Sequence, residues 1–143
     1  MSVDDDGEGW TSFALADPTR FHAFLAPLRF RAEGERTARV RMTPRQDHSN
    51  MRDAVHGGAT LAFIDMALFV ASRSFGLTTP GTAVTLDLST QFITEARLDQ
   101  PLDAVVELLR ETGRLLFMRG LVVQDQGTVA SFAGTIRKPS PKR

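Results

Sequence analysis

One carboxylate in an otherwise apolar stretch is the residue of this sequence best suited to chemistry. Asp65 lies within residues 54–71, and its neighbours three and four positions away are Leu61, Ala62, Leu68 and Phe69. A carboxylate on a buried apolar face is rarely tolerated unless it is paired, hydrogen-bonded or functional. Asp65 is therefore predicted either to bond a loop amide in a structural role or to act as a general base or nucleophile.

A histidine and two glycines precede Asp65 at the point where a loop becomes the predicted helix. In His56-Gly57-Gly58, the glycines would let a ligand approach the backbone, and free N–H groups at a helix N-terminus carry partial positive charge. Such groups stabilise the oxyanion that forms when a carbonyl carbon becomes tetrahedral. A tight packing turn is the alternative interpretation of Gly57-Gly58. For His56 we favour hydrogen bonds that hold the loop over a role as base.

The spacing of these groups limits how they can act together. His56 and Asp65 are nine residues apart, which corresponds to roughly 13 Å along a helix. One chain cannot easily place both the Gly57 N–H and the Asp65 carboxylate on one carbonyl carbon, whereas two antiparallel copies of the helix could. If both groups act in one site, that site is shared between subunits and a dimer is obligatory for activity.

The elements that would position these residues follow from hydrophobic periodicity. Residues 57–75 are predicted to form one helix that is apolar nearly all round and so must be surrounded on every side. Asp17-Pro18 predicts the start of a shorter helix that ends at Pro27, and residues 44–55 are predicted to form a loop. Six runs have strand character: 28–32, 38–42, 83–93, 102–110, 115–123 and 128–137.

The predicted fold class is α+β, an antiparallel sheet of about five or six strands wrapped around one long central helix. The last three strands are joined by short turns and should form a meander. A single helix cannot cover the whole sheet and one sheet edge stays open, so a homo-oligomer is the expected remedy. We expect one domain over residues 1–143, with disordered tails at 1–9 and 138–143.

Composition argues against several classes of function. Lys and Arg total 17, as do Asp and Glu, so no net field attracts nucleic acid or an anionic membrane. Without cysteine there is no disulfide, thiol nucleophile or thiolate metal site, and the three histidines lack the spacing of metal ligands. The acidic N-terminus differs from a secretory signal. We therefore expect a cytoplasmic protein that needs no metal and binds neither nucleic acid nor membrane.

The segment from Asn50 to Asp65 resembles the signature of the hot-dog thioesterases of the phenylacetate-pathway type, the PaaI-like acyl-CoA thioesterases. The shared pattern is an Asn, six residues to His-Gly-Gly, and nine residues from the His to an Asp on the central helix. Residues 85–93 resemble the strand that follows this helix in the family, and the similarity extends over residues 30–137.

The resemblance implies the hot-dog fold and hydrolysis of an acyl-CoA thioester, with no metal and no cofactor besides the coenzyme A of the substrate. Asp65 would deliver water to the thioester carbon or attack it directly. The Gly57 N–H of a partner subunit would polarise the carbonyl, and Asn50 would help it or orient the water. Thr85 would support the carboxylate as a nearby hydroxyl, and Gly58 would lie against the substrate. Family members form dimers or dimers of dimers, and a tetramer is common.

Two positions depart from the family pattern. Asp53 stands where the family usually has Gly, and residues 99–101 stand where a Gly-containing turn is common. Asp can adopt a left-handed backbone, so the loop is expected to survive with an added charge near the site. The identity of the acyl group is left open, because pocket depth depends on how Leu61, Phe69 and Phe92 pack across the interface.

Other functions are compatible with the same fold. A non-catalytic acyl-CoA binding or sensing module is the main alternative, and a carrier-protein thioester could replace the CoA thioester as substrate. Dehydratases of this fold pair an Asp with a His a few residues later, but no His follows Asp65 in this sequence. The presence of both Asn50 and Asp65 favours the hydrolase.

Overall fold

The fold is one antiparallel sheet packed against one α-helix. The computed structural model describes residues 2–3, 9–13, 17–77 and 83–139. The strands are β1 (Ser2–Val3), β2 (Thr11–Phe13), β3 (Leu28–Gly34), β4 (Thr37–Met42), β5 (Val84–Phe92), β6 (Leu102–Glu111), β7 (Leu115–Gln124) and β8 (Gly127–Arg137), and the helix is α1 (Gly57–Ser74). Their order across the sheet is β1-β2-β3-β4-β6-β7-β8-β5. The α+β class is confirmed, with eight strands in the described residues rather than five or six.

The predicted strands agree closely with the observed ones because their apolar residues alternate with polar ones. Strand β4, for example, buries Ala38, Val40 and Met42 and leaves the residues between them partly exposed. The turn between β6 and β7 is closed by Thr112, whose Oγ1 accepts from the backbone N–H of Leu115 at 2.9 Å. Strands β6, β7 and β8 form the predicted antiparallel meander.

Helix α1 begins and ends within one residue of its predicted limits but is covered on one side only. Its sheet-facing side contributes Phe63, Ile64 and Leu68 to the hydrophobic core. The opposite stripe, Leu61, Asp65 and Phe69, is only partly buried, and Leu61 is 39% exposed. The prediction that the helix is surrounded on every side is therefore wrong for a single chain, because the sheet of that chain contacts only one face.

The N-terminal helix predicted from Asp17-Pro18 to Pro27 is wrong in type and length. The chain forms a short 3-10 helix at Phe21–Leu25. The Asp17 side chain accepts a hydrogen bond from the Thr19 backbone N–H at 2.9 Å and bonds the Thr19 hydroxyl as well. It therefore closes a local turn instead of capping an α-helix.

Parts of both predicted tails belong to the sheet or its margin. Ser2 and Val3 pair with Ser12 and Thr11 of β2. At the other end, the Lys138 backbone N–H donates to the Arg114 carbonyl at 2.7 Å. The tail prediction is therefore wrong for these residues, because backbone pairing orders them, and residues 1, 4–8 and 140–143 lie outside the described part of the chain.

The N-terminal strands are held by Trp10, which is 1% exposed on the outer face of the sheet. The guanidinium groups of Arg31 and Arg41 lie 4.6 and 4.5 Å from its ring centroid. Arg41 also pairs with the buried Asp103 at 2.7 Å. This cluster ties β2 to β3, β4 and β6.

The two edges of the sheet differ. Among the described residues, β5 pairs with β8 on one side and has no strand on its other edge. Leu86 and Phe92 within β5, and Ile93 just after it, are each more than half exposed. A nine-residue open edge flanked by exposed apolar side chains is a surface suited to strand pairing.

Candidate active site

Asp65 lies midway along α1 and is held by a hydroxyl from the open-edge strand. Thr85 Oγ1 of β5 donates to Asp65 Oδ1 at 2.6 Å. Within the described residues no Lys or Arg pairs with this carboxylate, and its Oδ2 has no hydrogen-bond partner. The carboxylate was expected to be buried, but it is only partly buried because it lies on the uncovered stripe of the helix. One oxygen is thus fixed and the other is available to water or a ligand.

The first turn of α1 leaves one backbone N–H without an acceptor. His56 is the N-cap: its Nδ1 accepts from Gly58 N at 2.8 Å, and its carbonyl accepts from Ala59 N and Thr60 N at 2.9 and 3.1 Å. Among the described residues, no acceptor lies within hydrogen-bond distance of Gly57 N. Gly57 therefore presents a free N–H at the positive end of the helix dipole, and the His56 ring acts as a cap.

The two glycines of this turn serve different purposes. A Cβ at Gly58 would lie 3.1 Å from His56 Nδ1, so a side chain there would disturb the cap. A Cβ at Gly57 would have only ordinary contacts, with the Phe92 ring at 3.7 Å. A side chain at Gly58 would require the His56 ring to shift by a few tenths of an ångström, whereas Gly57 has room beside the Phe92 ring.

Asn50 organises the loop that leads to the cap. Its Oδ1 accepts from the backbone N–H groups of Arg52 and Ala54, at 2.8 and 3.1 Å. Its Nδ2 has no partner in the described part of the chain. Asp53 within this loop and Asp99 in a nearby turn have φ of 58° and 61°. Position 53 is where the resembling family usually has Gly, and Asp53 adopts the left-handed conformation expected there.

His48 ties the same loop to the N-terminal region. It is 1% exposed, its Nδ1 accepts from the Arg45 backbone N–H at 3.0 Å, and its Nε2 lies 2.6 Å from the Phe24 carbonyl. Because Nδ1 accepts, Nε2 carries the proton and donates to Phe24. The His48 carbonyl in turn accepts from His56 N at 2.7 Å. The N-terminus of α1 is thus anchored through a buried histidine.

A single chain does not bring all the predicted site residues together. It brings Thr85 to Asp65, His56 to Gly58 and Phe92 to Gly57. Gly57 and Asp65, however, lie eight residues apart on one continuous α-helix, which separates them by about 12 Å. Within one chain, the free N–H and the carboxylate cannot reach the same carbonyl carbon.

The sequence reading overlooked a cavity beside the C-terminal half of α1. It has a volume of about 460 Å³ and is lined by residues that include Phe69 and Arg73. These two follow Asp65 by four and eight residues, so helical spacing could have revealed that they continue its stripe. Leu61 precedes Asp65 on the same stripe.

In the described residues, no cluster of three or more His, Asp or Glu side chains could hold a metal ion. None of the described helices has the length and apolar character needed to span a membrane.

The chain matches known proteins in both sequence and structure. The sequence matches the Thioesterase superfamily over residues 53–131, more than half of its length. No curated protein matches it. The solved structure of the TT0310 protein from Thermus thermophilus is 27% identical, with a TM-score of 0.68, over 87% of this chain and 99% of that one.

Two further structures extend the comparison. A mutant of the phenylacetic acid degradation protein PaaI from Thermus thermophilus is 26% identical, with a TM-score of 0.68, over 85% of this chain and 99% of that one. A hypothetical thioesterase from Streptococcus pneumoniae, solved with coenzyme A, is 18% identical, with a TM-score of 0.71, over 85% of this chain and 91% of that one. The resemblance to PaaI-like proteins inferred from residues 50–65 is confirmed. The chain belongs to the thioesterase superfamily and adopts its hot-dog fold.

Proposed function

We propose that this protein hydrolyses an acyl-CoA thioester to the free acid and CoA, in a site shared between two copies of the chain. Asp65 of one copy acts on the thioester carbon, and the Gly57 N–H of the other copy binds the oxyanion. One observation supports this most directly. A free N–H, at Gly57, and a carboxylate, at Asp65, lie on the same helix about 12 Å apart.

The proposed chemistry uses groups that the structure leaves available. As a general base, Asp65 takes a proton from water while the water oxygen bonds to the carbonyl carbon, and the resulting oxyanion accepts from Gly57 N–H. Collapse breaks the C–S bond, and the proton passes from Asp65 to sulfur to give the CoA thiol. As a nucleophile, Asp65 would attack the carbonyl carbon, form a mixed anhydride and expel CoA as the thiolate. Water then hydrolyses the anhydride, which releases the acid and regenerates the Asp65 carboxylate, and the proton set free passes to the thiolate. Thr85 holds Oδ1 in either route and leaves Oδ2 to react.

The open edge of β5 explains how a second copy would complete the site. Antiparallel pairing of two β5 edges around a two-fold axis gives one continuous sheet with both helices, antiparallel, on the same face. The partly exposed stripe that carries Asp65 would then face the other helix. We propose that this dimer, alone or as a dimer of dimers, is the active form and that it works in the cytoplasm.

A CoA thioester is the substrate we favour. The related structure from Streptococcus pneumoniae was solved with coenzyme A, and the phenylacetic acid degradation protein PaaI is among the structural relatives. A carrier-protein thioester would present the same reacting carbonyl, so a panel of both kinds of substrate separates them.

Thiol release from a panel of acyl-CoA thioesters tests the proposal, with wild type and Asp65→Asn compared. We expect the wild type to release thiol and Asp65→Asn to lose about 10²- to 10⁴-fold in kcat/KM, because the amide can neither take the proton nor attack. Asp125→Asn is the matched control, since Asp125 is an exposed carboxylate in the turn between β7 and β8, outside the β5 edge. It should keep full activity.

Two outcomes would contradict the assignment. Equal activity of Asp65→Asn and wild type would remove Asp65 from the chemistry. Tight binding of acyl-CoA without thiol release by the wild type would point to the binding module instead of the hydrolase.

A further inference from the structure

The cavity beside the C-terminal half of α1 is suited to a small ligand. Its volume of about 460 Å³ lies in the range of small-molecule pockets. Most of its wall is apolar: Phe13, Phe69, Leu77, Ala83, Leu116 and Ile136. Charged groups line it as well, namely Arg73, Glu111 and Lys138.

The cavity lies on the same side of the helix as the candidate carboxylate. Phe69 is four residues and Arg73 eight residues beyond Asp65 on α1, which places them about 6 and 12 Å further along the axis. Ala83, on another wall, precedes by two residues the Thr85 that bonds Asp65. The cavity, which Asp65 itself does not line, thus begins at Phe69, one helical turn beyond Asp65, and includes Arg73 one turn further along.

Within the described residues, the two cations that line the cavity differ in whether they have partners. The Lys138 ammonium donates to Glu111 Oε2 at 2.5 Å and to the Thr112 carbonyl at 2.7 Å, so its charge and hydrogen bonds are matched. Arg73 has no hydrogen bond or ion pair within the described residues. Among the described residues, Arg73 is thus an unmatched guanidinium group on the cavity wall, about 12 Å along the helix from Asp65.

We propose that this cavity holds the acyl chain of the substrate and that Arg73 binds a carboxylate at the far end of that chain. The preferred substrates are then CoA monothioesters of dicarboxylic acids, an inference that rests on the proposed function. The apolar wall accommodates methylene groups, and guanidinium binds carboxylate through two parallel charge-assisted hydrogen bonds. A simple fatty acyl chain of equal length fills the same wall but leaves Arg73 without a partner.

Matched pairs of substrates test the proposal: suberoyl-CoA against octanoyl-CoA, and adipoyl-CoA against hexanoyl-CoA. We expect the wild type to show a KM for the dicarboxylic member about tenfold lower, the effect of a charge-assisted hydrogen bond to Arg73, which is exposed in the single chain. Arg73→Gln should raise that KM about tenfold with kcat unchanged and leave the monocarboxylic KM as it was. Arg73→Lys should keep part of the preference. Arg110→Gln, at an exposed arginine outside the cavity, is the control and should behave as wild type.

Other results would overturn it. Equal KM values within each pair, or a loss in Arg73→Gln that is the same for both members, would show that Arg73 does not bind the chain end. Titration calorimetry of the four thioesters with Asp65→Asn, and with Asp65→Asn/Arg73→Gln, tests binding without turnover. If no thioester is hydrolysed by the wild type, the proposed function fails. The calorimetry would still test the cavity, because tighter binding of the dicarboxylic thioesters, lost when Arg73 is replaced, would show that Arg73 binds the chain end.

Discussion

Asn50 uses the two ends of its side-chain amide differently. Its Oδ1 accepts two backbone N–H groups and so shapes the loop before α1, while its Nδ2 has no partner among the described residues. A carboxylate at position 50 could accept the same two hydrogen bonds, so only the free Nδ2 donor depends on asparagine. The loop and the chemistry can therefore be separated by substitution at this one residue.

We predict that Asn50→Asp keeps the loop but lowers kcat, because it replaces the free NH₂ donor by a negative oxygen. The free energy of unfolding should change by less than about 1 kcal/mol, since both backbone groups keep an acceptor. Thermal unfolding together with steady-state hydrolysis measures both effects. Asn50→Ala is the comparison, and it should lose stability by about 1–3 kcal/mol because two N–H groups lose their acceptor. Wild-type kcat in Asn50→Asp would show that Nδ2 takes no part in the reaction.

Some properties of single residues could be predicted from the sequence and others could not. The left-handed backbone at Asp53 was expected, because the resembling family usually has Gly at that position, whereas the one at Asp99 was not predicted. The free guanidinium of Arg73 could not be predicted, because it depends on which cations find partners in the fold. Lys138 is paired with a carboxylate that lies 27 residues away, and nothing local indicates that contact.

At the scale of the element, the first turn of α1 permits an unusually selective experiment. Gly57 is the first helical residue, a position where Pro is tolerated because its missing N–H would have no intrahelical acceptor. His56 already has φ −61° and ψ 136°, the extended conformation that a residue before Pro requires. The candidate oxyanion donor can therefore be deleted while the helix is kept.

We predict that Gly57→Pro lowers kcat by about 10²- to 10³-fold, the usual effect of removing one oxyanion-hole donor. Gly57→Ala is the matched control, because it keeps the N–H and its Cβ would have ordinary contacts with Phe92. It should retain most of the activity. Circular dichroism and thermal unfolding check that both variants stay folded, and unchanged kcat in folded Gly57→Pro would exclude this N–H as the donor.

How well the elements could be predicted depends on their length. Helix α1 and the strands β4 to β8 carry several turns or pleats of apolar periodicity, which fixes their limits to within one residue or so. Strands β1 and β2 have only two and three residues, too few to show a period. Asp17-Pro18 is a start signal for a helix. The Asp17 side chain, however, accepts from the Thr19 backbone N–H, and such a contact favours a turn just as strongly.

The site itself belongs to the scale of the whole molecule. The sequence spacing between Gly57 and Asp65 was enough to predict that one chain could not complete the site, and the continuous helix agrees with that spacing. The sequence could not predict which surface a second copy would use. Only the assembled sheet reveals that β5 is the open edge and that it carries the Thr85 that holds Asp65.

Mixing two inactive variants tests the shared site. In a dimer of one Asp65→Asn chain and one Gly57→Pro chain, one site combines both defects and the other combines an intact carboxylate with an intact N–H. We predict that co-expressed chains with two different affinity tags, purified as mixed dimers, recover about half of the wild-type activity, given that each defect alone abolishes a site. Either variant alone stays inactive. No recovery in verified mixed dimers would place both groups of each site in one chain.

The difference between the two sheet edges has a consequence for how the protein behaves when it is abundant. An open strand edge is a template for unlimited strand addition, the route by which sheets grow into fibres. In the proposed dimer, two β5 edges pair around a two-fold axis and occupy each other, while the opposite edge, β1, has two residues in the described part of the chain. We therefore expect growth by strand addition to stop at two chains in the proposed dimer, so that the open edge does not lead to polymers at high concentration.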